Sequence, residues 1–257
     1  MRGSGILAAG AVVLALAAGG PVGAETVEVS PGPPVAAETT ISPKALPKRE
    51  PAPAALAFEL RVEQALDGSV HPLKEIAIKL DRNVVLDFRR YPLCGPSSLD
   101  DRTLADFRER CREAIVGAGA IDFEIRFPES QTVAVRSRMI VVHGDREGDV
   151  RRLYAIAEVK IPVPAMIVMT IEIRPIHNGG RYARQATISI PKVAGGSGAI
   201  TQLRFQLGRK FIRDGNQVST VRARCPDGKL QSQVDLLFAE GGSYGISEVR
   251  PCTGMAS

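Results

Sequence analysis

The sequence predicts an all-β protein, an antiparallel β-sandwich of about 11 to 12 strands with one short helix near residues 104–116. Three observations support this. Apolar and polar residues alternate with period two through most of the chain from Leu56 onward, the pattern of a strand with one buried face. Turns rich in Gly, Asn and Asp separate the alternating runs. A parallel sheet would need a crossover helix between successive strands, and only one segment has convincing helical periodicity.

The chain opens with a segment of another kind. Arg2 supplies a positive charge, Ile6 to Ala18 is an uncharged apolar run, and Gly19, Gly20 and Pro21 interrupt it. Val22-Gly23-Ala24 then sets small residues before Glu25, so residues 1–24 are expected to be a secretory signal peptide cleaved after Ala24. The apolar run is shorter than the roughly 20 residues that span hydrocarbon, and no cysteine stands at the cleavage point for lipid attachment. The expectation is a secreted or cell-wall-associated chain with no stable membrane span after cleavage. Residues 25–55 hold Pro31, Pro33, Pro34, Pro43, Pro47, Pro51 and Pro53. Proline removes a backbone donor and restricts φ, so this stretch is expected to be a flexible Pro/Ala-rich linker or a prosegment. Residues 56–253 would then form one domain.

Strands are expected where the alternation is clearest: Phe58 to Glu63, Ile76 to Asp81, Ile121 to Phe127 and Val133 to Val141. Others follow at Leu153 to Ile161, Ala165 to Ile173, Tyr182 to Ile190, Ile200 to Leu207, Val218 to Cys225, Leu230 to Phe238 and Tyr244 to Val249. The segments His143 to Gly148, His177 to Gly180, Asp214 to Asn216, Pro226 to Gly228 and Glu240 to Gly242 read as the turns between them. The helix should start after Thr103, with Asp106 three residues on as an Asp version of the capping box. Leu104, Phe107, Cys111 and Ile115 make its apolar face, and Gly117 is placed to end it. Ile76 to Arg82 resembles Leu203 to Arg209, and each precedes a segment holding a cysteine. This echo raises the idea of two similar halves.

Four cysteines, Cys94, Cys111, Cys225 and Cys252, stand in a chain read as exported, where disulfides persist. Proximity in sequence favours Cys94 with Cys111 and Cys225 with Cys252, although four cysteines allow three pairings. Each bridge would contribute roughly 3 kcal/mol in the chain-entropy model. No cysteine pair has the two- to four-residue spacing of a zinc site.

The net charge of +5 is mild, the basic residues are scattered, and the chain has no Trp and only four Tyr. A nucleic-acid reader would show a dense basic stripe with stacking aromatics, so no nucleic-acid partner is expected. Gly241-Gly242-Ser243-Tyr244-Gly245 matches the G-x-S-x-G pattern, but a nucleophile elbow needs a helix after it and a histidine further on. The following residues alternate like a strand, and no histidine lies beyond His177. Gly195 to Gly198 lacks the lysine and helix of a phosphate loop. The carboxylates Asp100 and Asp101, and Asp145 with Glu147 and Asp149, suit ordinary solvated loops better than calcium sites. No cofactor or metal is expected.

Tyr91-Pro92-Leu93-Cys94 through Cys111 to Gly119, Ile176 to Tyr182, and Cys225 to Leu230 resemble segments of uncharacterised secreted proteins of high-GC Gram-positive bacteria. The similarity covers about Leu56 to Cys252. It implies an extracytoplasmic, disulfide-bonded β-rich domain and transfers no functional residue. Two readings of function stand. The first is a non-catalytic protein that binds a cell-envelope or extracellular protein or polymer. The second is an extracellular hydrolase with a site built from dispersed loop residues such as His143, Asp145 and His177; convergence of those side chains would favour it.

Overall fold

The computed structural model describes residues 25–28, 34–63, 71–95, 103–127, 132–160, 164–213 and 215–255; the expected signal peptide lies outside them. The early strands are β1 (Glu25–Glu28), β2 (Val35–Ser42), β3 (Ala45–Pro47), β4 (Ala52–Val62), β5 (Leu73–Asp81) and β6 (Val84–Leu86). Helix α1 (Leu104–Arg110) and a 3-10 turn at Arg112–Ala114 come next. The long central strands are β7 (Ile115–Ile125), β8 (Val133–Glu147), β9 (Val150–Val159), β10 (Ala165–Pro175), β11 (Tyr182–Ser189) and β12 (Gly198–Leu207). The chain finishes with β13 (Lys210–Arg213), β14 (Asn216–Ser219), β15 (Val221–Ala223), β16 (Lys229–Phe238), β17 (Ser243–Pro251) and β18 (Thr253–Met255). The all-β class and the single short helix agree with the sequence expectation.

One sheet of 14 strands contains most of these elements. Its main run is β17–β16–β5–β11–β10–β9–β8–β7–β12–β4–β2, and every neighbouring pair is antiparallel. The run curls until its ends meet, so the facing layers expected of a sandwich are opposite walls of one rolled sheet. An odd number of antiparallel strands leaves β2 and β17 parallel, and no backbone ladder joins them among the described residues. Side chains close the gap instead. The buried Glu248 carboxylate accepts from the Thr39 backbone N–H at 2.6 Å, Ser232 Oγ at 3.3 Å and Arg250 Nη2 at 2.9 Å. Arg250 also reaches Glu38 at 3.1 Å. Strand β1 pairs with the preceding part of the same edge, Tyr244 to Ser247.

Period-two alternation decides what fills the ring. Phe58 and Leu60 of β4, Phe205 of β12, Phe123 of β7, Leu153 of β9, Ile171 of β10 and Val234 of β16 all point into one core. That core takes residues from both echoing segments, Ile76 and Leu203, so the echo does not divide the chain into separate halves. Only about 20 Å³ remains open between Leu56, Phe58, Ile78, Leu153, Ile171 and Phe205. Side chains thus fill the barrel, and a ligand larger than a water molecule must use its outside or its ends.

The two ends differ. Cys94–Cys111 and Cys225–Cys252 form the two disulfides, with Cα separations of 5.7 and 6.0 Å. Strand directions place both bridges at the end where β8, β12 and β17 finish. The segment after β6 crosses that end: the Asp87 N–H donates to the Thr220 carbonyl, Cys94 N–H to the His143 carbonyl, and Tyr91 Oη to the Arg209 carbonyl. Leu86 and Phe88 plug it.

Two expectations need correction. Residues 35–55 are not a linker, because β2 pairs with β4 along its length and β3 pairs with β18. Ala37, Thr39 and Leu46 are buried, and the Pro47 carbonyl accepts from Cys225 N–H. Pro43, Pro47 and Pro51 sit at strand boundaries, where the absent donor breaks no ladder; the alternation of Val35 to Ile41 was obscured by that proline content. The helix is also shorter than 104–116. Thr103 Oγ1 accepts from Asp106 N–H, the N-cap half of the capping box, and its hydroxyl donates to the Asp106 carboxylate. Gly117, however, lies in β7 rather than ending the helix. A Cβ there would stand 2.4 Å from the Gln206 carbonyl oxygen, and one at Gly119 would stand 2.1 Å from that of Arg204. These glycines let β7 and β12 approach closely.

Three substitutions test this account by urea unfolding. Leu46→Ala should cost about 2–5 kcal/mol, as truncation of a packed leucine does, whereas a linker residue would cost nothing. Glu248→Ala should cost about 1–3 kcal/mol because it strands the buried Thr39 N–H, while Glu38→Ala should stay within about 0.5 kcal/mol.

Candidate functional site

The three residues that a hydrolytic site would need do not converge. His143 lies on the inner face of β8, buried against Phe88 with ring centroids 5.4 Å apart. Its Nδ1 is 3.1 Å from the Tyr91 carbonyl oxygen, and its Nε2 is 3.3 Å from Arg151 Nη1. A carbonyl only accepts and a guanidinium only donates, so the proton sits on Nδ1 and the Nε2 lone pair is occupied. Burial lowers the pKa of His143, the Tyr91 carbonyl opposes that shift, and Arg151 adds to it. The imidazole is therefore neutral and fully engaged.

Asp145 follows an irregularity between His143 and Arg146 and turns to the outer face. There it accepts from Tyr154 Oη and, at 2.6 Å, from Arg152 Nη1. These bonds hold the Asp145 carboxyl below its ordinary range, Tyr154 contributing most. The Tyr154 hydroxyl is pushed up to about 12 by burial and then by Asp145. His177 is exposed in the turn between β10 and β11. No hydrogen bond or ion pair joins it to His143 or Asp145. Gly241 to Gly245 forms the β16–β17 hairpin and the start of β17, with Gly241 N–H donating to the Phe238 carbonyl. Among the described residues, no group of three His, Cys, Asp or Glu side chains is placed to hold a metal ion.

An open concave surface lies on the outer face, and strand register builds it. One transverse row runs Glu38 (β2), Glu59 (β4), Arg204 (β12), Ala120 (β7), Arg138 (β8). The next runs Thr40, Ala57, Gln206, Ala118, Ile140. Small side chains at Ala57, Ala118 and Ala120 form a low floor. Helix α1 raises a wall beside it, since Phe107 and Cys111 pack on Ile140, Val142, Tyr154 and Ile156 and carry Leu104 and Arg108 to the rim. The resulting open groove holds about 910 Å³.

Its charge is graded. On the β2–β4 side, Glu59 accepts from Arg61 Nη2 at 2.7 Å and Gln202 Nε2 at 2.8 Å. Its carboxyl is held below the ordinary range, the Arg61 hydrogen bond contributing most. On the β7–β8 side, Arg136 is clasped by Asp122 at 2.8 Å. Arg108 and Arg138 are exposed, and among the described residues they make no hydrogen bond or ion pair. Arg204 donates only to Gln202 within its own strand, at 3.1 Å. Three arginines thus face the groove without a carboxylate bound to them. In the sequence these arginines are scattered, because their convergence depends on the register of β12, β7 and β8 and on the packing of α1. The small outward residues Ala118 and Ala120 were the local signal.

No protein-family model, curated protein or solved structure matches the chain.

The His143 contacts fix the sign of a pH dependence. Its folded pKa lies below the ordinary 6.5, so on acidification the unfolded chain takes the proton first. The stability present above about pH 6.5 is lost as pH falls toward the lower folded value. Urea unfolding at about pH 7.5 and about pH 5.5 should show this loss in the wild type, and a smaller one in His143→Gln, whose amide supplies one donor and one acceptor. Equal losses in both proteins would contradict the assignment.

Proposed function

We propose that this chain is an exported, non-catalytic binding protein whose outer groove takes an extended anionic polymer of the cell surface or its surroundings. The observation that carries this reading is the placement of Arg108, Arg138 and Arg204 along one open groove with no carboxylate bound to them. Guanidinium groups bind carboxylate, sulfate and phosphate through paired N–H donors. Small floor residues let a chain lie close to the backbone, and the length of the groove suits a polymer better than a compact ligand. Glu38 and Glu59 at the far side oppose a second run of negative charge, which gives the bound chain a preferred placement.

Two disulfides are compatible with an oxidising compartment, and export follows the reading of residues 1–24. The filled barrel argues against an enclosed ligand. His143 and Asp145 face opposite sides of β8, and among the described residues no hydrogen bond or ion pair joins either to His177, which supports a binding role over a hydrolytic one.

The reading is tested with polygalacturonate as the polyanion, measured by co-sedimentation or interferometry at low salt. The wild type should bind with an affinity that falls as salt rises. Arg108→Glu with Arg138→Glu should weaken binding about tenfold or more, while the distant exposed change Lys192→Glu should leave it unaltered. Equal binding by the double variant would sink the proposal, and release of shortened fragments would return the hydrolase reading.

A further inference from the structure

A second cluster of arginines lies elsewhere, at the plugged end of the barrel. It begins with two adjacent residues of β9 that meet opposite fates. Arg152 points outward and is held by three carboxylates, Asp145 at 2.6 Å, Glu147 at 2.8 Å and Glu172 at 3.0 Å. Arg151 shares the inner face with Leu153 and Ala155, and among the described residues no carboxylate forms an ion pair with it. Its guanidinium lies 5.7 Å from the Phe88 ring centroid and donates to His143 Nε2 at 3.3 Å.

Register brings further positive charge to the same face. Arg146 stands directly opposite Arg151 across the β8–β9 hairpin, a like-charged pairing that destabilises an antiparallel sheet. Arg146 donates only to the Gly148 carbonyl, at 2.8 Å. Arg184 of β11 lies opposite Leu80 and Pro175, in the same inward file as Ala186 and Ile188. It is half-buried, and among the described residues it makes no hydrogen bond or ion pair. The neighbouring carboxylates are committed: Asp87 is bound by Arg89 through both oxygens, and Asp145 and Glu147 serve Arg152. Burial, then Arg146 and Arg184, lower the pKa of Arg151, and Asp87 opposes them only in part, as expected of a cation whose positive neighbours outweigh its nearest carboxylate.

We propose that Arg146, Arg151 and Arg184 form a site for a small oxyanion at the plugged end of the barrel. Phosphate and sulfate have the geometry that paired guanidinium N–H groups recognise. Neutral His143 is the positioning residue: its Nε2 holds one edge of Arg151, and Phe88 supports its face. The anion would relieve a repulsion that the folded chain otherwise bears. This site is separate from the outer groove and does not depend on the polymer reading.

The test uses inorganic phosphate on the full chain, at constant ionic strength balanced with sodium chloride, followed by thermal unfolding and calorimetry. The wild type should show saturable binding and a rise in Tm. Arg184→Gln removes a side chain with no hydrogen bond or ion pair among the described residues, so it should fold normally and weaken phosphate about tenfold or more. Arg146→Gln should raise Tm in chloride alone while reducing the phosphate response, a pair of opposite effects that a merely structural arginine would not give. The exposed Arg174→Gln should match the wild type. Replacing phosphate by a phosphomonoester or a carboxylate then separates a free ion from the anionic end of a larger molecule; either one bound through Arg184 supports the site. A phosphate response that does not saturate, or that is unchanged in Arg184→Gln, is general salt stabilisation and overturns the proposal.

Discussion

A rolled antiparallel sheet with an odd number of strands meets itself along two parallel edges, and unpaired edge groups invite pairing with other chains. Here Glu248 resolves that conflict. Its buried carboxylate accepts from the Thr39 N–H of the opposite edge, from Ser232 beside it, and from Arg250, which extends to Glu38. A buried carboxylate is tolerable only when such donors surround it. The join draws β2 into the ring, and with it a proline-containing stretch that composition alone assigns to a linker. Strand β4 then lies between β2 and β12, which fixes the register of the outer face.

Closure has a second consequence. Once Phe58, Phe123, Phe205 and their neighbours fill the ring, little interior space is left, and recognition moves to the outer face and the ends. The disulfides are placed accordingly. Both lie at one end, where Cys94–Cys111 ties the segment after β6 to the helix and Cys225–Cys252 ties the start of β16 to the end of β17. The same covalent framework that holds the plug over that end also holds α1 against β8 and β9. The helix wall of the groove and the environment of His143 therefore share one anchor, since Cys94 N–H donates to the His143 carbonyl.

The arginines are sorted by the face on which strand alternation places them. Arg152 meets three carboxylates outside, and Arg151, one residue earlier, meets an imidazole and an aromatic ring inside. Along the outer face, Asp122 neutralises Arg136, while Arg138 two residues on makes no ion pair among the described residues. A chain with a modest net charge of +5 thus carries two concentrated positive surfaces, because charge on a folded protein is a matter of position rather than of sum.

The sequence by itself determined the all-β class, the strands from β9 to β12 and the later part of β7 and earlier part of β8, the capped start of α1 at Thr103 and the turn role of the Gly241 to Gly245 motif. Each depends on interactions between residues a few positions apart, which alternation and turn chemistry report directly. The favoured disulfide pairing was also local in origin. In sequence, however, the start of β7 reads as helix and the end of β8, from His143 to Glu147, as a turn. Tertiary structure alone decided the closure at Glu248, the incorporation of β2 and β3, the conversion of Gly117 from a helix stop to a strand contact, and both arginine clusters. Those features join residues far apart in the chain, as Thr39 and Glu248 are, or Glu59 and Arg204. Their partners are selected by register, and a one-residue slip in register would send every side chain to the opposite face. Local pattern records which residues alternate, but the burial of an entire wall decides which strand lies beside which.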